Sequence, residues 1–492
     1  MFKEKENEMS DKRLTADFKV NTSVLDEIFA VDTNFDLTGR EITFSGQDAK
    51  LYFLDSFMNG DRFERLLIFF AELQKDKRIT PGDAVRFIRE AVPYSEVTTT
   101  NDIDQLVYFV MSGTLCLVSS AFPSEAVIID LRYYPSRSIG EPSNDKVLRG
   151  ARDGFVEAVK PNISMIRRRI RDTSFRAKRV VVGKKSKTDV AICYLEGAAD
   201  AAYVEKLEKK LADLDVGSLS LGHQSLAEAL VPTKWYNPFP KFRYTERPDT
   251  AAASILEGSV VIVTDASPEV MILPTGIFDF LQEANDYYLP PFTGCYLRIL
   301  RHIVFFITLV LTPTWYLLVQ NADRLPGWLE FVKITHEYSL PLIVQLFLVE
   351  FALDGLKLAS LNTPDTLTNS LSVVGGLILG DFAVEIGWLI PEVIVYMAVV
   401  AIANFTQPSY ELGFAFKFMR MLMLIFTALL GLFGYIVSAV IIVILIVTNN
   451  TVDGSRSYLY PLIPFNGKAL MRVLFRVSAR YANKDSDIRT KN

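Results

Sequence analysis

Three histidines and three cysteines are all that 492 residues hold of the commonest metal ligands, and neither set is spaced for a site. His223, His302 and His336 stand singly, which excludes a His-based metal centre and places each at a surface or interface. Cys116, Cys193 and Cys295 make no CxxC pair and no disulfide framework, as fits a reducing compartment. Gly-x-Ser-x-Gly and His-Glu-x-x-His motifs are missing as well. No catalytic residue, cofactor or metal is expected, and the chain does not read as an enzyme. The opening MFKEKENEMSDKR mixes charges of both signs without an apolar core, so no cleaved signal peptide is expected.

Charge is what two later stretches lack. Ile303 to Ala322 is 20 residues without Asp, Glu, Lys or Arg, and Met421 to Val452 is 32. About 20 apolar residues suffice to cross a bilayer core, and buried helices of soluble proteins rarely run so far uncharged. The rest is polarised to match. Residues 1–295 carry 37 basic and 44 acidic side chains, a soluble composition, whereas 296–492 carry 15 and 13. An integral membrane protein with a large cytosolic N-terminal part is expected.

Residues 1–25, charged and poor in aromatics, read as disordered. Helical periodicity follows in DRFERLLIFFAEL (61–73), ITPGDAVRFIREAVP (79–93, with Thr80 as N-cap and Pro81 at the first helical position) and NDIDQLVYFVMSG (101–113). The period then falls to two. TLCLVSS and AVIIDLR, joined by AFPSE, predict an antiparallel hairpin ending near Tyr133. RVVVG (179–183), DVAICYLEG (189–197), the charged helix DAAYVEKLEKKLADL (200–214) and the hairpin SVVIVTDASPEVMILP (259–274) form a second set. The expected class is α+β with membrane α: mixed α/β cytosolic subdomains at 26–165 and 166–294, a transmembrane helical bundle at 295–450, and an amphipathic basic tail at 451–492.

Two basic stretches invite a phosphate reading. GKKSKT (183–188) has the tail of a phosphate-binding loop but lacks the leading glycine, so a strand-to-strand turn is the stronger reading. Arg167, Arg168, Arg169 and Arg171 in ISMIRRRIRD offer a patch for phosphate, against which stands pairing with carboxylates of the adjacent subdomain or a neighbouring subunit. The acidic balance of this half favours pairing, and no nucleic-acid partner is expected.

Apolar segments run from Ile299 to Gln320, Ser339 to Leu358, Leu371 to Gly387, Trp388 to Phe405 and Phe418 to Val447, with Arg298, Arg301 and His302 flanking the first. The tail Asp453 to Asn492 holds eight basic and three acidic residues, which places both ends in the cytosol. An even number of crossings is then required, so one of five segments is broken or re-entrant, best placed within 371–405 around Gly387 and Pro391. In GGLILGDFAVEIG, Gly376 and Gly380 share a face that admits close helix approach, while Asp381 and Glu385 share a displaced stripe. Glu350, Asp354 and Lys357 form another stripe, and Glu392 follows Pro391. An ionised group at mid-membrane costs about 2.5 to 3.5 kcal/mol and must face an interior or water. These intramembrane charges either line such a path or pair off, as Asp354 and Lys357 would within one helix. Arg472, Arg476 and Arg480 beside Leu470, Val473, Leu474 and Val477 predict an amphipathic helix, lying on anionic lipid or docked on the N-terminal part.

VLRGARDGFVEAVKPNISMIRRRIRD (147–172), VVGKKSKTDVAICYLEGAAD (181–200), ERPDTAAASILEGSVVIVTDASPEVMILP (246–274) and SLSVVGGLILGDFAVEIGWLIPEVIV (370–395) resemble the A subunits of GerA-type spore germinant receptors. YYPSRSIGEPSNDKVLRG (133–150) and YLYPLIPFNGKALMRVLFR (458–476) look most like that family's stage V sporulation protein AF branch. The resemblance spans about 30–476. It implies a multi-pass protein of the spore inner membrane acting in germination, with N-terminal domain and tail on the core side. It also implies rings of identical subunits, expected as pentamers, around a path for monovalent cations, with another membrane subunit as a potential partner. On such an axis Ser372, Val373, Gly376, Gly380, Asp381 and Glu385 would line the pore, small residues setting its width and acids favouring cations. An ion-coupled transporter and a non-conducting receptor or scaffold subunit are the competing readings.

Overall fold

The computed structural model describes residues 13–44, 46–73, 85, 89, 96–132, 147–231, 235–362, 383–452 and 457–476. The helix expected at 79–93 falls almost wholly outside these residues. The chain divides into two units: residues up to 232 together with 242–274, and residues 233–241 together with 275–481.

The first unit holds two five-stranded antiparallel sheets. It begins with α1 (Phe18–Phe29), whose N-cap Asp17 accepts from the amides of Lys19 and Val20 and which buries Leu25 and Phe29. The expectation of disorder through residue 25 is therefore corrected from residue 18 onward. A capping carboxylate and an apolar stripe outweigh the charged composition there. Then come β1 (Leu37–Phe44), β2 (Gln47–Leu54), α2 (Gly60–Leu73), β3 (Val97–Thr100), α3 (Ile103–Met111), β4 (Leu115–Ser119) and β5 (Ala126–Ile129). Their order across the sheet is β1-β2-β4-β5-β3. In central β4, Leu115 and Leu117 face the Leu66 and Phe70 side of α2, whereas Cys116 and Val118 face α1 and α3. Alternate side chains thus serve two cores, which is why this strand is apolar throughout.

The second sheet follows α4 (Val159–Arg167). Its elements are β6 (Phe175–Val182), β7 (Thr188–Leu195), α5 (Ala201–Ala212), α6 (His223–Leu230), β8 (Arg243–Thr245), α7 (Pro248–Leu256), β9 (Val260–Thr264) and β10 (Val270–Leu273). Its order, β6-β7-β9-β10-β8, repeats that of the first sheet strand for strand. Both predicted hairpins are present as β4–β5 and β9–β10. GKKSKT is the turn between β6 and β7, with Gly183 at φ 94.

Within this unit, the Arg167 guanidinium meets Asp36 through two bonds of 3.0 and 2.9 Å, neither side chain exposed to solvent. Phe35 donates its amide to Ala177, and Asn34 accepts the Ala177 amide, so the segment before β1 is stitched to β6. Arg169 pairs with Asp153. Arg167 thus serves the joint between the subdomains, while the Arg169 pair ties the segment before α4 to the end of that helix within the second.

The second unit is helical: α8 (Asn285–Tyr288), α9 (Pro291–Gln320), α10 (Leu342–Asn362), one turn at Ala383–Glu385, α11 (Pro391–Phe405), α12 (Tyr410–Val447) and α13 (Gly467–Leu474). By length and composition α9 and α12 are able to cross a membrane, and α11 is a shorter apolar helix. α12 is not one rod. Gly431 has φ 58 and ψ −136, outside the helical region. The Phe239 ring lies 5.7 Å from that of Phe416, while the Phe239 carbonyl accepts from Asn449. Residues 416 and 449 would be about 50 Å apart on a straight helix, so the chain doubles back at Gly431. The segment expected to cross once, Phe418 to Val447, is a helical hairpin. A glycine at positive φ breaks what hydropathy alone joins.

Candidate functional site: charged groups of the helical unit

Glu350 and Asp354 lie one turn apart on α10, hence on one face. Lys417 and Arg420, three apart on α12, meet them. The Arg420 guanidinium donates to Glu350 at 2.7 Å, and the Lys417 ammonium lies 3.5 Å from Glu350 and contacts Asp354. Glu350 is 6 % exposed, Lys417 2 % and Arg420 1 %. Arg420 also donates to the Thr308 carbonyl of α9 at 2.8 Å, and Gln407 donates to the Thr308 hydroxyl at 3.2 Å. Three helices are thereby joined by charge-assisted bonds in apolar surroundings, where such bonds are strong. Asp354 is thus paired between helices, with Lys417 of α12.

Lys357 occupies a different setting. Its ammonium lies 4.7 Å from the ring centre of Phe414, 4.8 Å from Tyr410 and 5.9 Å from Phe405, within cation–π reach of each. A small cavity between α10, α11 and α12 is lined by Glu350, Asp354, Lys357, Asn404, Phe405 and Arg420 among others. Glu392, in the first turn of α11, accepts from the Thr335 amide and hydroxyl at 3.2 and 3.1 Å and lies 3.1 Å from His336. Glu385 is exposed on its single turn. Ser372, Val373, Gly376, Gly380 and Asp381 lie outside the described residues.

A second cluster precedes α9. The Asp286 carboxylate is buried and accepts from Arg298 at 3.3 Å and from Arg301 at 2.7 and 3.1 Å. Arg301 also pairs with Glu283 at 2.5 Å. The arginines expected as flanks of the first span clamp the elbow that leads into it. α13 docks here, Arg298 donating to the Arg472 carbonyl at 2.9 Å and Arg476 to that of Leu289.

Sequence reasoning singled out the acids and missed Lys417 and Arg420. Their spacing just ahead of the uncharged run, complementary to that of Glu350 and Asp354, was the available signal.

A unit of two α/β sheets joined to helices that bury charge and expose large apolar side chains defines a membrane-protein class. Residues 23–488 match the family model described as "Bacillus/Clostridium GerA spore germination protein", and the chain belongs to that family. It is 36 % identical over 446 residues to stage V sporulation protein AF of Bacillus subtilis (strain 168), covering 91 % of this chain and 90 % of the relative. Spore germination proteins KA and A1 of the same organism are each 29 % identical, over 455 and 393 residues, covering 91 % and 76 % of this chain and 82 % and 80 % of theirs. Among solved structures, the N-terminal domain of the A subunit of the Bacillus megaterium spore germinant receptor GerK3 aligns at a TM-score of 0.41 and 21 % identity, over 53 % of this chain and 96 % of that one.

Proposed function

We propose that this spore germination family member is a subunit of a ring, of five copies, that conducts monovalent cations across the spore inner membrane during germination. In this reading the α/β unit and the basic tail lie on the core side, and other germination subunits join the ring. The observation that carries it is the inversion of an ordinary globular surface. Glu350, Lys417 and Arg420 are inside, while Phe351, Ile402, Leu429 and Phe433 are outside. That arrangement suits hydrocarbon around the helices and polar groups within.

Because Glu350 and Asp354 are neutralised by α12, the conducting stripe is assigned to Asp381 and Glu385, with Ser372, Val373, Gly376 and Gly380 setting the bore. The test is planar-bilayer recording of the purified protein, with native mass measurement for the copy number. Discrete unitary steps that shrink in Asp381→Asn and Glu385→Gln support the pore, and a silent bilayer with correctly assembled protein refutes it. Val373→Ala should widen the bore and let ions leak from dormant spores; unchanged retention counts against that segment.

A non-conducting scaffold subunit is the second reading, favoured by the pairing of Glu350 with both Lys417 and Arg420. It gains if the two neutralised variants assemble and germinate normally.

A further inference from the structure

The segment that docks on the elbow before α9 presents an apolar, basic surface at one end of the helical unit. Residues 457–476 contain Lys468, Arg472 and Arg476 and no acid. Their apolar side chains Leu462, Ile463, Met471 and Phe475 are exposed, and Phe465 is 75 % so. On α13, Lys468, Met471 and the following Phe475 fall at i, i+3 and i+7, one stripe of the helix and its last turn.

The segment is held firmly from behind. Tyr458 is buried, accepts the Ile277 amide at 2.9 Å through its carbonyl and donates its hydroxyl to the Pro240 carbonyl at 2.8 Å. Cys295 accepts the Arg476 amide at 3.2 Å. Five residues before Pro240, which Tyr458 holds, Trp235 is 94 % exposed and Tyr236 half so, although neighbouring Asn237 and Phe239 are anchored on α12. Apolar groups on a rigid backing, turned outward, call for a permanent apolar neighbour.

Position identifies that neighbour. Phe292, Tyr296, Ile299, Ile303 and Phe306 are all exposed and follow one another at steps of four and three, a single stripe of α9. The stripe runs from the turns where α13 docks into the uncharged stretch that begins at Ile303. From Phe292 to Ile303 is about 16 Å of helix, roughly half the hydrocarbon thickness of a bilayer. If the upper stripe faces acyl chains, the lower stripe and α13 stand at headgroup level. Exposed Trp and Tyr, short apolar insertions and lysine or arginine stems are the chemistry of that layer.

We infer that residues 461–475, with Trp235 and Tyr236, form an interfacial anchor that seats in the headgroup region of an anionic phospholipid leaflet. The inference rests on the membrane reading of α9. It fixes the depth of the helical unit and makes its seating depend on lipid charge. The lipid-facing part is the loop of Leu462, Ile463 and Phe465 as much as the basic helix.

The test uses the full chain in liposomes, nitroxide-labelled singly at Phe465→Cys, Met471→Cys or Phe306→Cys on a Cys295→Ser background, Cys116 and Cys193 being buried. Collision with oxygen and with a water-soluble relaxant reads depth. Expected are acyl-chain depth at 306 and headgroup depth at 465 and 471, the latter two shielded from the aqueous relaxant several-fold. Lys468→Gln should weaken the preference for anionic over zwitterionic vesicles by about fivefold. Water-like collision rates at 465 and 471 with 306 still embedded overturn the anchor. So does spin–spin broadening at 465 and 471 that vanishes on dilution with unlabelled protein, which assigns the patch to a second copy. Exposure of 306 to water refutes the membrane reading instead.

Discussion

Arg167 and Asp36 lie far apart in the chain and meet with no solvent around either. Removing one partner of such a pair strands the other charge in a low dielectric, which costs about 3 to 5 kcal/mol. Asp36→Ala should therefore lower the thermal midpoint of the α/β unit sharply, followed by circular dichroism. Asp36→Leu with Arg167→Met should restore most of it, because two apolar groups need no partner. The same logic applies to Glu350, which faces both Lys417 and Arg420. Glu350→Gln should reduce the yield of folded protein in detergent, and Glu350→Gln with Arg420→Met should recover it, read by size-exclusion chromatography. Burial pushes the thiols of Cys116 and Cys193 up, so neither holds thiolate at neutral pH. Native protein should take maleimide at partly exposed Cys295 only, and at all three after denaturation, counted by intact mass.

At the scale of elements, Gly431 decides the path of the last apolar stretch. Its φ of 58 with ψ −136 is a conformation L side chains rarely adopt, and a Cβ at Gly434 would collide with the Phe426 carbonyl. Gly431→Ala should cost on the order of 1 to 3 kcal/mol, seen as a lower melting temperature. The hairpin also puts residues 409 and 450 at the same end of the unit. Cysteines at Ser409 and Asn450 should therefore label together with an impermeant reagent from one side of oriented vesicles, whereas a straight helix would separate them. Residues 410–447 therefore return to the end of the helical unit at which they begin.

At the scale of the whole molecule, the two sheets share one strand order, yet the second is interrupted: residues 233–241 belong to the helical unit and 242–274 return to the α/β unit. A fragment ending at residue 231 would lack β8, β9 and β10, and with them the inner strands that bury Val261, Val263 and Ile272. It should aggregate, while residues 13–274 should yield soluble protein, scored by expression and circular dichroism.

Local pattern by itself determined a good deal. Period-two runs predict both inner hairpins, a missing glycine reduces GKKSKT to a turn, and charge-free stretches predict α9 and the apolar C-terminal region. These follow from neighbours within a few residues, where side-chain period and composition carry the signal. What only the tertiary structure decided involves partners distant in the chain: Asp36 under Arg167, Lys417 and Arg420 against Glu350, and the reversal at Gly431. Charge spacing shows that a helix has an acidic face, but not which helix neutralises it, because that depends on packing between elements the pattern treats one at a time. A glycine in an apolar run reads as tolerated until the backbone shows that it turns. Disorder over residues 18–25 was the opposite error, composition outweighed by one capping aspartate and two buried side chains that only a sheet to pack on makes effective.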